Sequence, residues 1–161
     1  MDLIVLAGGF GTRLQSVLNG LPKPLVDVNG QLFLKILFEK WIFEGFSNFV
    51  LSLHYGSDKI IEFVNEEKNN GILKNHSVKF MEEPKPLGTG GAISHVVTQL
   101  DLPDELYIAN ADTWLGGGYN KMFNNKSNVI GIVEVHNVAR YGQLEINNDQ
   151  LITSFNKKNA D

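Results

Sequence analysis

Apolar residues along this chain follow two alternating patterns, each typical of one kind of secondary structure. Short apolar runs predict strands at residues 3–6, 48–53, 78–81 and 106–109, and the first two of these strands are expected to be buried. Apolar residues three and four positions apart predict helices between the strands, at residues 32–44, 57–70 and 90–100. This alternation predicts an α/β fold, a Rossmann-like and mostly parallel sheet with helices on both faces.

The C-terminal part follows a different pattern. Beyond Tyr119 the sequence predicts strands at residues 129–135, 142–146 and 151–155, without crossover helices between them. The sequence contains no internal repeat and no low-complexity linker. A chain of 161 residues has room for one domain with a core of its own, so we expect a single domain over residues 1–161.

Charge and composition exclude several classes of function. The formal net charge of −4 leaves no basic surplus for a nucleic-acid backbone, so we expect no nucleic-acid partner. The absence of cysteine excludes disulfides and thiolate metal sites, and the four histidines lack the spacing of a zinc site. Because no window is long and apolar enough for a membrane span, we expect a cytoplasmic protein without a membrane partner. The oligomeric state, a homo-oligomer included, stays open.

The first predicted strand leads directly into a glycine-rich turn. Gly8, Gly9 and Gly11 allow the chain to turn tightly and leave backbone amide groups uncovered, which can face an anion. Arg13 adds a guanidinium that suits phosphate oxygens, and Lys23 adds a second cation between two prolines. Together these features predict a phosphate-binding site. The alternative is a tight strand-to-helix turn with solvated cations.

Two common phosphate-binding motifs do not fit this turn. A P-loop needs a Lys followed by Ser or Thr directly after its last glycine, whereas Thr12 and Arg13 follow here. A dinucleotide-binding fingerprint needs a third glycine where Leu14 stands. A dinucleotide-binding oxidoreductase is therefore disfavoured.

The turn instead resembles the signature of the sugar-1-phosphate nucleotidyltransferases, LAGGxGTRL followed by PKP. The first motif stands complete at residues 6–14 and the second at residues 22–24. The resemblance implies the nucleotide-diphospho-sugar transferase fold, with Arg13 holding the leaving pyrophosphate and Lys23 neutralising the α-phosphate of a nucleoside triphosphate. The residues that it implies in nucleotide binding are Leu6, Ala7, Gly8, Gly9, Gly11 and Thr12.

A second glycine-rich loop, EEPKPLGTGGA, follows the third predicted strand at residues 82–92. Its glycines allow a ligand close to the backbone, and its prolines stiffen the chain. The loop resembles the PLGTxGA segment of the same family, which implies recognition of the base by Glu83, Pro86, Leu87, Gly88 and Thr89. A carboxylate at Glu83 suits guanine, because it accepts hydrogen bonds from N1–H and the 2-amino group. The alternative is an ordinary glycine-rich helix entry.

A lone carboxylate, Asp112, follows the fourth predicted strand in the sequence NADT. Ligands of open α/β sheets bind beyond the carboxyl ends of the strands, where an Asp is well placed to hold Mg²⁺ among nucleotide phosphates. The segment resembles the family's NGDT, whose Asp binds that metal, with Ala111 in place of Gly. The resemblance thus implies Mg²⁺ as cofactor and Asp112 as its ligand. The alternative is an Asp that caps a turn or a helix.

The C-terminal end resembles the family only in part. Relatives have a hydrophobic strand followed by FxEK, so Lys158 matches the lysine that holds the sugar phosphate, whereas Lys157 replaces the glutamate that contacts sugar hydroxyls. Solvated tail lysines are the alternative. Family members continue to a second metal-binding Asp, so we expect these 161 residues to represent mainly the nucleotide-binding half and to transfer nucleotide poorly alone.

The resemblance implies a transferase of activated-sugar biosynthesis, of the kind used for lipopolysaccharide or capsule. A sugar-1-phosphate attacks the α-phosphorus of a nucleoside triphosphate and pyrophosphate leaves, a reaction that depends on alignment and charge neutralisation. Residues 15–17, 21–25, 28–30 and 33–34 are most similar to heptose-1-phosphate guanylyltransferases, with mannose-1-phosphate guanylyltransferases next. The implied partners are therefore GTP and a heptose- or mannose-1-phosphate. The alternative is a non-catalytic module that binds a nucleotide or a sugar nucleotide.

Overall fold

The structure is a computed structural model of the chain, and it divides into two compact units, Met1–Gly116 and Gly117–Asp161. The residues that it describes are 1–12, 18, 20–123, 125–136 and 142–156. The expectation of a single domain over residues 1–161 stays a prediction.

Strands and helices alternate through the first unit, as the hydrophobic pattern predicts. The strands are β1 (Asp2–Leu6), β2 (Asp27–Val28), β3 (Gln31–Leu32), β4 (Asn48–Leu53), β5 (Ser77–Glu82) and β6 (Tyr107–Asn110). The helices are α1 (Phe33–Phe43), α2 (Ser57–Asn70) and α3 (Gly88–Gln99), with a 3-10 turn at Lys23–Leu25. Of the helices in the described part of the chain, none has the length and apolar content needed to cross a membrane.

Four of these strands form a parallel sheet in the order β5-β4-β1-β6. β1 lies between β4 and β6, and its last residue, Leu6, pairs with Ser52 on one side and Asn110 on the other. β2 and β3 form a separate antiparallel pair. The predicted α/β fold with a parallel sheet is confirmed.

Helices cover both faces of the sheet because its central strands, β1 and β4, are apolar on both faces. On one face, Ile4 and Val50 pack with Val96 of α3. On the other face, the ring of Phe49 lies 5.1 Å from that of Phe38 in α1, at an interplanar angle of 86°. Ile4 and Phe38 are 0% exposed, so the sheet is the centre of the core.

The second unit contains a short helix, α4 (Tyr119–Phe123), and an antiparallel hairpin of β7 (Gln143–Ile146) and β8 (Ile152–Asn156). The hairpin confirms two of the predicted strands, and α4 is a helix that the pattern does not predict. The predicted strand at 129–135 is wrong. Its β-branched residues favour a strand only where a neighbouring strand pairs with them, but Ile132 and Val133 are 55% and 81% exposed and no described strand pairs with this segment.

The packing of α1 on the sheet generates a stability prediction. Phe38→Ala should lower the free energy of unfolding by about 3–5 kcal/mol, because it empties a fully buried aromatic position. Phe43→Ala on the same helix is the matched control. Phe43 is 84% exposed, and its described contact is Lys40 Nζ at 5.5 Å from the ring centroid, so its loss should cost under about 1 kcal/mol. Urea unfolding of both variants gives the comparison, and equal losses would contradict the assigned core.

Candidate active site

The loops at the carboxyl ends of β1, β5 and β6 line one cavity in the unit Met1–Gly116. Parallel strands end at the same edge of their sheet, and this edge is where open α/β sheets bind ligands. The cavity has a volume of about 470 Å³, within the range of about 300–1,000 Å³ that is usual for small-molecule sites. Its lining consists of Leu6, Ala7, Gly8, Gly9, Phe10, Gly11, Thr12, Lys23, Pro24, Glu83, Pro86, Gly88, Thr89, Ala92, Asn110, Ala111 and Asp112.

The glycine turn after β1 contacts β4 and His54, which directly follows β4. At its start, the amide of Ala7 donates a hydrogen bond to the carbonyl of Ser52 at 2.9 Å. Further along, Gly11 has a φ of +59°, in the left-handed region that favours glycine, and a Cβ there would lie 3.0 Å from Lys23 Cβ. Between them, the ring of Phe10 lies 5.6 Å from that of His54 in an edge-on arrangement. These contacts hold the turn along the cavity wall.

Lys23 and Asp112 form an ion pair at the cavity, with Lys23 Nζ 2.5 Å from Asp112 Oδ2. Lys23 begins the 3-10 turn after Pro22, and the other oxygen of Asp112 accepts a hydrogen bond from Thr113 Oγ1 at 3.1 Å. The two side chains are 33% and 41% exposed, and exposed pairs of this kind stabilise a fold by only about 0–1 kcal/mol. Both charges can therefore exchange this partner for a ligand at little cost to stability.

The carboxylate of Glu83 is held by hydrogen bonds to both of its oxygens. Oε1 accepts from Ser52 Oγ at 3.1 Å, and Oε2 accepts from the amide of Leu87 at 3.0 Å. The backbone of Glu83 is fixed as well, since its amide donates to the carbonyl of Leu53 at 2.7 Å and its carbonyl lies 3.1 Å from His54 Nδ1. The second glycine-rich loop thus presents a charged acceptor in a fixed position at the cavity.

The two glycine-rich loops meet at Gly8. A Cβ at this position would lie 2.8 Å from Glu83 Oε1 and 3.3 Å from the backbone nitrogen of His54. The neighbouring Gly9 differs, because a Cβ there would have no atom within 4 Å. The absence of a side chain at Gly8 therefore allows the Glu83 carboxylate to reach the phosphate turn.

The cavity brings together predicted site residues from all three segments of the sequence. Leu87 is the exception in the described segments, because it contributes its amide to Glu83 and does not line the cavity. Arg13 and Lys158 lie outside the described residues. Sequence analysis did not identify Ser52 and His54, which contact the carboxylate and the backbone carbonyl of Glu83, respectively. The only signal for Ser52 is a serine within the otherwise apolar stretch FVLSL.

The donor atoms at the cavity suit a metal ion that shares its ligands with a substrate. In the part of the chain that the structure describes, no group of three or more His, Cys, Asp or Glu side chains is placed to hold a metal. Mg²⁺ in phosphate-transferring sites is commonly bound through one or two carboxylates together with substrate phosphates. A lone carboxylate at Asp112, close to the glycine turn, fits that arrangement and does not fit a site made of protein ligands alone.

Comparison with known proteins assigns the family. The model of the family described as nucleotidyl transferase matches residues 3–160, almost the entire chain. The chain belongs to the nucleotidyl transferase family. The glycine turn and the PKP motif at the cavity are the motifs from which the sequence predicts this membership, and that prediction is confirmed.

Two relatives in this family have the same name, D-glycero-α-D-manno-heptose 1-phosphate guanylyltransferase. The protein from Campylobacter jejuni is 31% identical over 159 residues, which cover 98% of this chain and 69% of the relative. The protein from Aneurinibacillus thermoaerophilus is 31% identical over 163 residues, which cover 98% of this chain and 68% of the relative.

Solved structures of family members have the same fold. The crystal structure of HddC from Yersinia pseudotuberculosis matches with a TM-score of 0.82 and 38% identity, covering 98% of this chain and 69% of HddC. A second structure of HddC, complexed with GMP-PN, matches with a TM-score of 0.81 and 39% identity. The nucleotide-diphospho-sugar transferase fold is therefore confirmed.

The contact between the two loops generates a second prediction. Gly8→Ala should lower the free energy of unfolding by about 1–3 kcal/mol, because its methyl group displaces Glu83 Oε1 and leaves buried Ser52 without its acceptor. Gly9→Ala, the matched control, meets no atom and should leave stability within about 1 kcal/mol of the parent. Thermal and urea unfolding of the two variants make the comparison. Equal stability of both variants would contradict this prediction, because it would show that the Glu83 side chain moves aside without a loss of stability.

Proposed function

We propose that this chain is a sugar-1-phosphate guanylyltransferase that transfers GMP from GTP to a heptose 1-phosphate. The observation that supports this best is the convergence of both glycine-rich loops, Lys23 and Asp112 on one cavity. The names of the two relatives and the GMP-PN complex of HddC favour guanine as the base and heptose as the sugar. The product would be an activated sugar for lipopolysaccharide or capsule, made in the cytoplasm.

The proposed reaction forms one bond and breaks another at the same phosphorus. A phosphate oxygen of the sugar phosphate attacks the α-phosphorus of GTP, and the bond from that phosphorus to the bridging oxygen of the β-phosphate breaks. Pyrophosphate leaves with the electron pair. Such a reaction needs little covalent help from the protein, and holding two reactants in line can contribute about 7–11 kcal/mol.

The phosphate side of the site is proposed to consist of the glycine turn and two cations. The backbone of residues 8–12 lines the cavity, and amide groups of such a turn suit phosphate oxygens. Lys23 is proposed to neutralise the α-phosphate and Arg13 the leaving pyrophosphate. Charge-assisted hydrogen bonds of this kind are roughly twice as strong as neutral ones.

The base side of the site consists of the second loop. A carboxylate has about four lone-pair positions, and protein donors take two of those on Glu83. The others can accept from N1–H and the 2-amino group of guanine, a pair of donors that adenine and uracil do not have at these positions. Pro86, Gly88 and Thr89 also line the cavity and are proposed to contact the base.

Asp112 is proposed as the protein ligand of Mg²⁺, which when bound offsets negative charge on the nucleotide phosphates. In the structure, Asp112 pairs with Lys23. Nucleotide binding is therefore proposed to separate the pair, so that Lys23 turns to phosphate and Asp112 to the metal. Lys158 is proposed to hold the phosphate of the incoming sugar.

Calorimetry and an assay of pyrophosphate release test the proposed function. The chain should bind GTP more tightly than ATP, UTP or NADH, because a site that pairs polar edges discriminates strongly against bases that lack them. Among heptose-, mannose- and glucose-1-phosphate, release should be fastest with the heptose. Equal affinity for GTP and UTP would contradict the guanylyltransferase assignment. Tight GTP binding without release from any sugar phosphate would contradict nucleotide transfer by this chain.

The ion pair generates a prediction with opposite signs in two buffers. In EDTA, Asp112→Asn should bind GTP about two- to tenfold more tightly than the parent, because it removes a negative charge and releases Lys23. Mg²⁺ should increase the affinity of the parent for GTP. In Asp112→Asn this increase should be about tenfold smaller, because the carboxylate ligand of the metal is lost. Calorimetric titration in the two buffers measures both effects.

The control for this prediction is Asp104→Asn, which changes the net charge by the same amount as Asp112→Asn. Asp104 is exposed and does not line the cavity. It should match the parent in both buffers within about twofold, since solvent and salt screen distant surface charges. If Asp112→Asn also matches the parent in both buffers, Asp112 does not bind the metal.

A further inference from the structure

Ser52 is a polar side chain in a position that otherwise suits an apolar residue. It lies near the end of β4, in the interior of the parallel sheet, and it is 0% exposed. Its neighbours in the same strand, Leu51 and Leu53, are also 0% exposed. A buried hydroxyl costs stability unless it is hydrogen-bonded, so the acceptor that Ser52 Oγ has among the described residues indicates the role of this side chain.

That acceptor is Oε1 of Glu83, at 3.1 Å. Ser52 itself does not line the cavity, whereas Glu83 does. The other oxygen of Glu83 is fixed by the amide of Leu87 at 3.0 Å. With both donors in place, the carboxylate group cannot rotate about its last bond without losing a hydrogen bond. With Ser52 removed, one oxygen has no described protein donor and that rotation is released.

We propose that Ser52 is a positioning residue for base selection: it fixes the Glu83 carboxylate so that the site prefers guanine over bases without a 2-amino group. The inference rests on the proposed function, in which Glu83 accepts hydrogen bonds from guanine. Two donors on the base meet two acceptor positions only if the carboxylate holds one orientation. Ser52 sets that orientation from inside the sheet, without touching the nucleotide.

The Glu83 oxygen that accepts from Ser52, Oε1, also lies close to the phosphate turn. A Cβ at Gly8 would lie 2.8 Å from Oε1 of Glu83, so this oxygen occupies the space that a side chain at Gly8 would need. Ser52 therefore holds the carboxylate in the space beside Gly8, next to the end of β4. Without the hydroxyl, rotation takes the acceptor out of register with the base.

The experiment compares GTP with ITP, whose base keeps N1–H but lacks the 2-amino group. Calorimetric titration of GTP, ITP and inorganic triphosphate is performed on the parent, Ser52→Ala and Ser52→Thr. Ser52→Ala should lower the preference for GTP over ITP about tenfold while leaving the affinity for inorganic triphosphate unchanged. Ser52→Thr keeps the hydroxyl and should retain the preference of the parent.

A role for Ser52 in general packing would give a different result. Equal weakening of all three ligands by Ser52→Ala, or an unchanged preference for GTP over ITP, would overturn the proposal. If Ser52→Ala does not fold, Ser52→Cys replaces it. The thiol is similar in size but is a weak donor, so the preference for GTP should again fall, and a preference equal to that of the parent would overturn the proposal.

A variant of Glu83 separates failure of this inference from failure of the proposed function. Glu83→Gln should abolish the preference for GTP over ITP, whereas Glu82→Gln, which alters the exposed neighbouring carboxylate, should not. If Glu83→Gln keeps the preference, the assignment of Glu83 to the base is wrong and the proposal falls with it. If Glu83→Gln loses the preference and Ser52→Ala keeps it, only the role of Ser52 is wrong.

Discussion

The parallel register of β1 between β4 and β6 is the constraint on which the site depends. Leu6 pairs with Ser52 on one side and with Asn110 on the other, so the three strands end at one level. Neighbouring strands lie only about 4.8 Å apart, which brings groups from distant parts of the chain within hydrogen-bond reach of one another. The same parallel arrangement continues into β5, where Leu53 pairs with Glu82, and it places Glu83 beside Ser52. Asp112 follows β6 at this edge and meets Lys23 from a position 89 residues away in the chain.

The charges around the cavity differ from those of a simple anion site. Lys23 is the described cation in its lining, and it stands with two carboxylates, Glu83 and Asp112. Carboxylates oppose phosphate binding by charge repulsion, so their presence is useful only if each has another partner when the ligand is bound. The guanine edge and a divalent cation are two such partners. The two carboxylates therefore lower the affinity for phosphate. In return, they make binding selective for the base and dependent on metal.

The sequence predicts most of the sheet because its two central strands, β1 and β4, are buried on both faces. Continuous apolar runs leave little ambiguity, and β4 and α2 begin and end where the pattern predicts. Most of the cavity lining follows from the same logic, since glycine-rich and acidic segments directly follow predicted strands. The segment 129–135 shows the limit of this prediction, because its β-branched residues predict a strand that the structure does not contain. A strand needs a partner to pair with, and the local pattern does not specify that partner. Likewise, nothing around Ser52 in the sequence indicates that its hydroxyl bonds to a glutamate 31 positions away.

The measurement that tests this account most directly is a crystal structure of the chain with Mg²⁺ and a GTP analogue that cannot be hydrolysed. The account predicts phosphates along the backbone of residues 8–12, guanine within hydrogen-bond distance of Glu83, and a Lys23–Asp112 pair that has separated. A nucleotide bound elsewhere would contradict it. So would a nucleotide in the cavity with its base turned away from Glu83 and the ion pair intact.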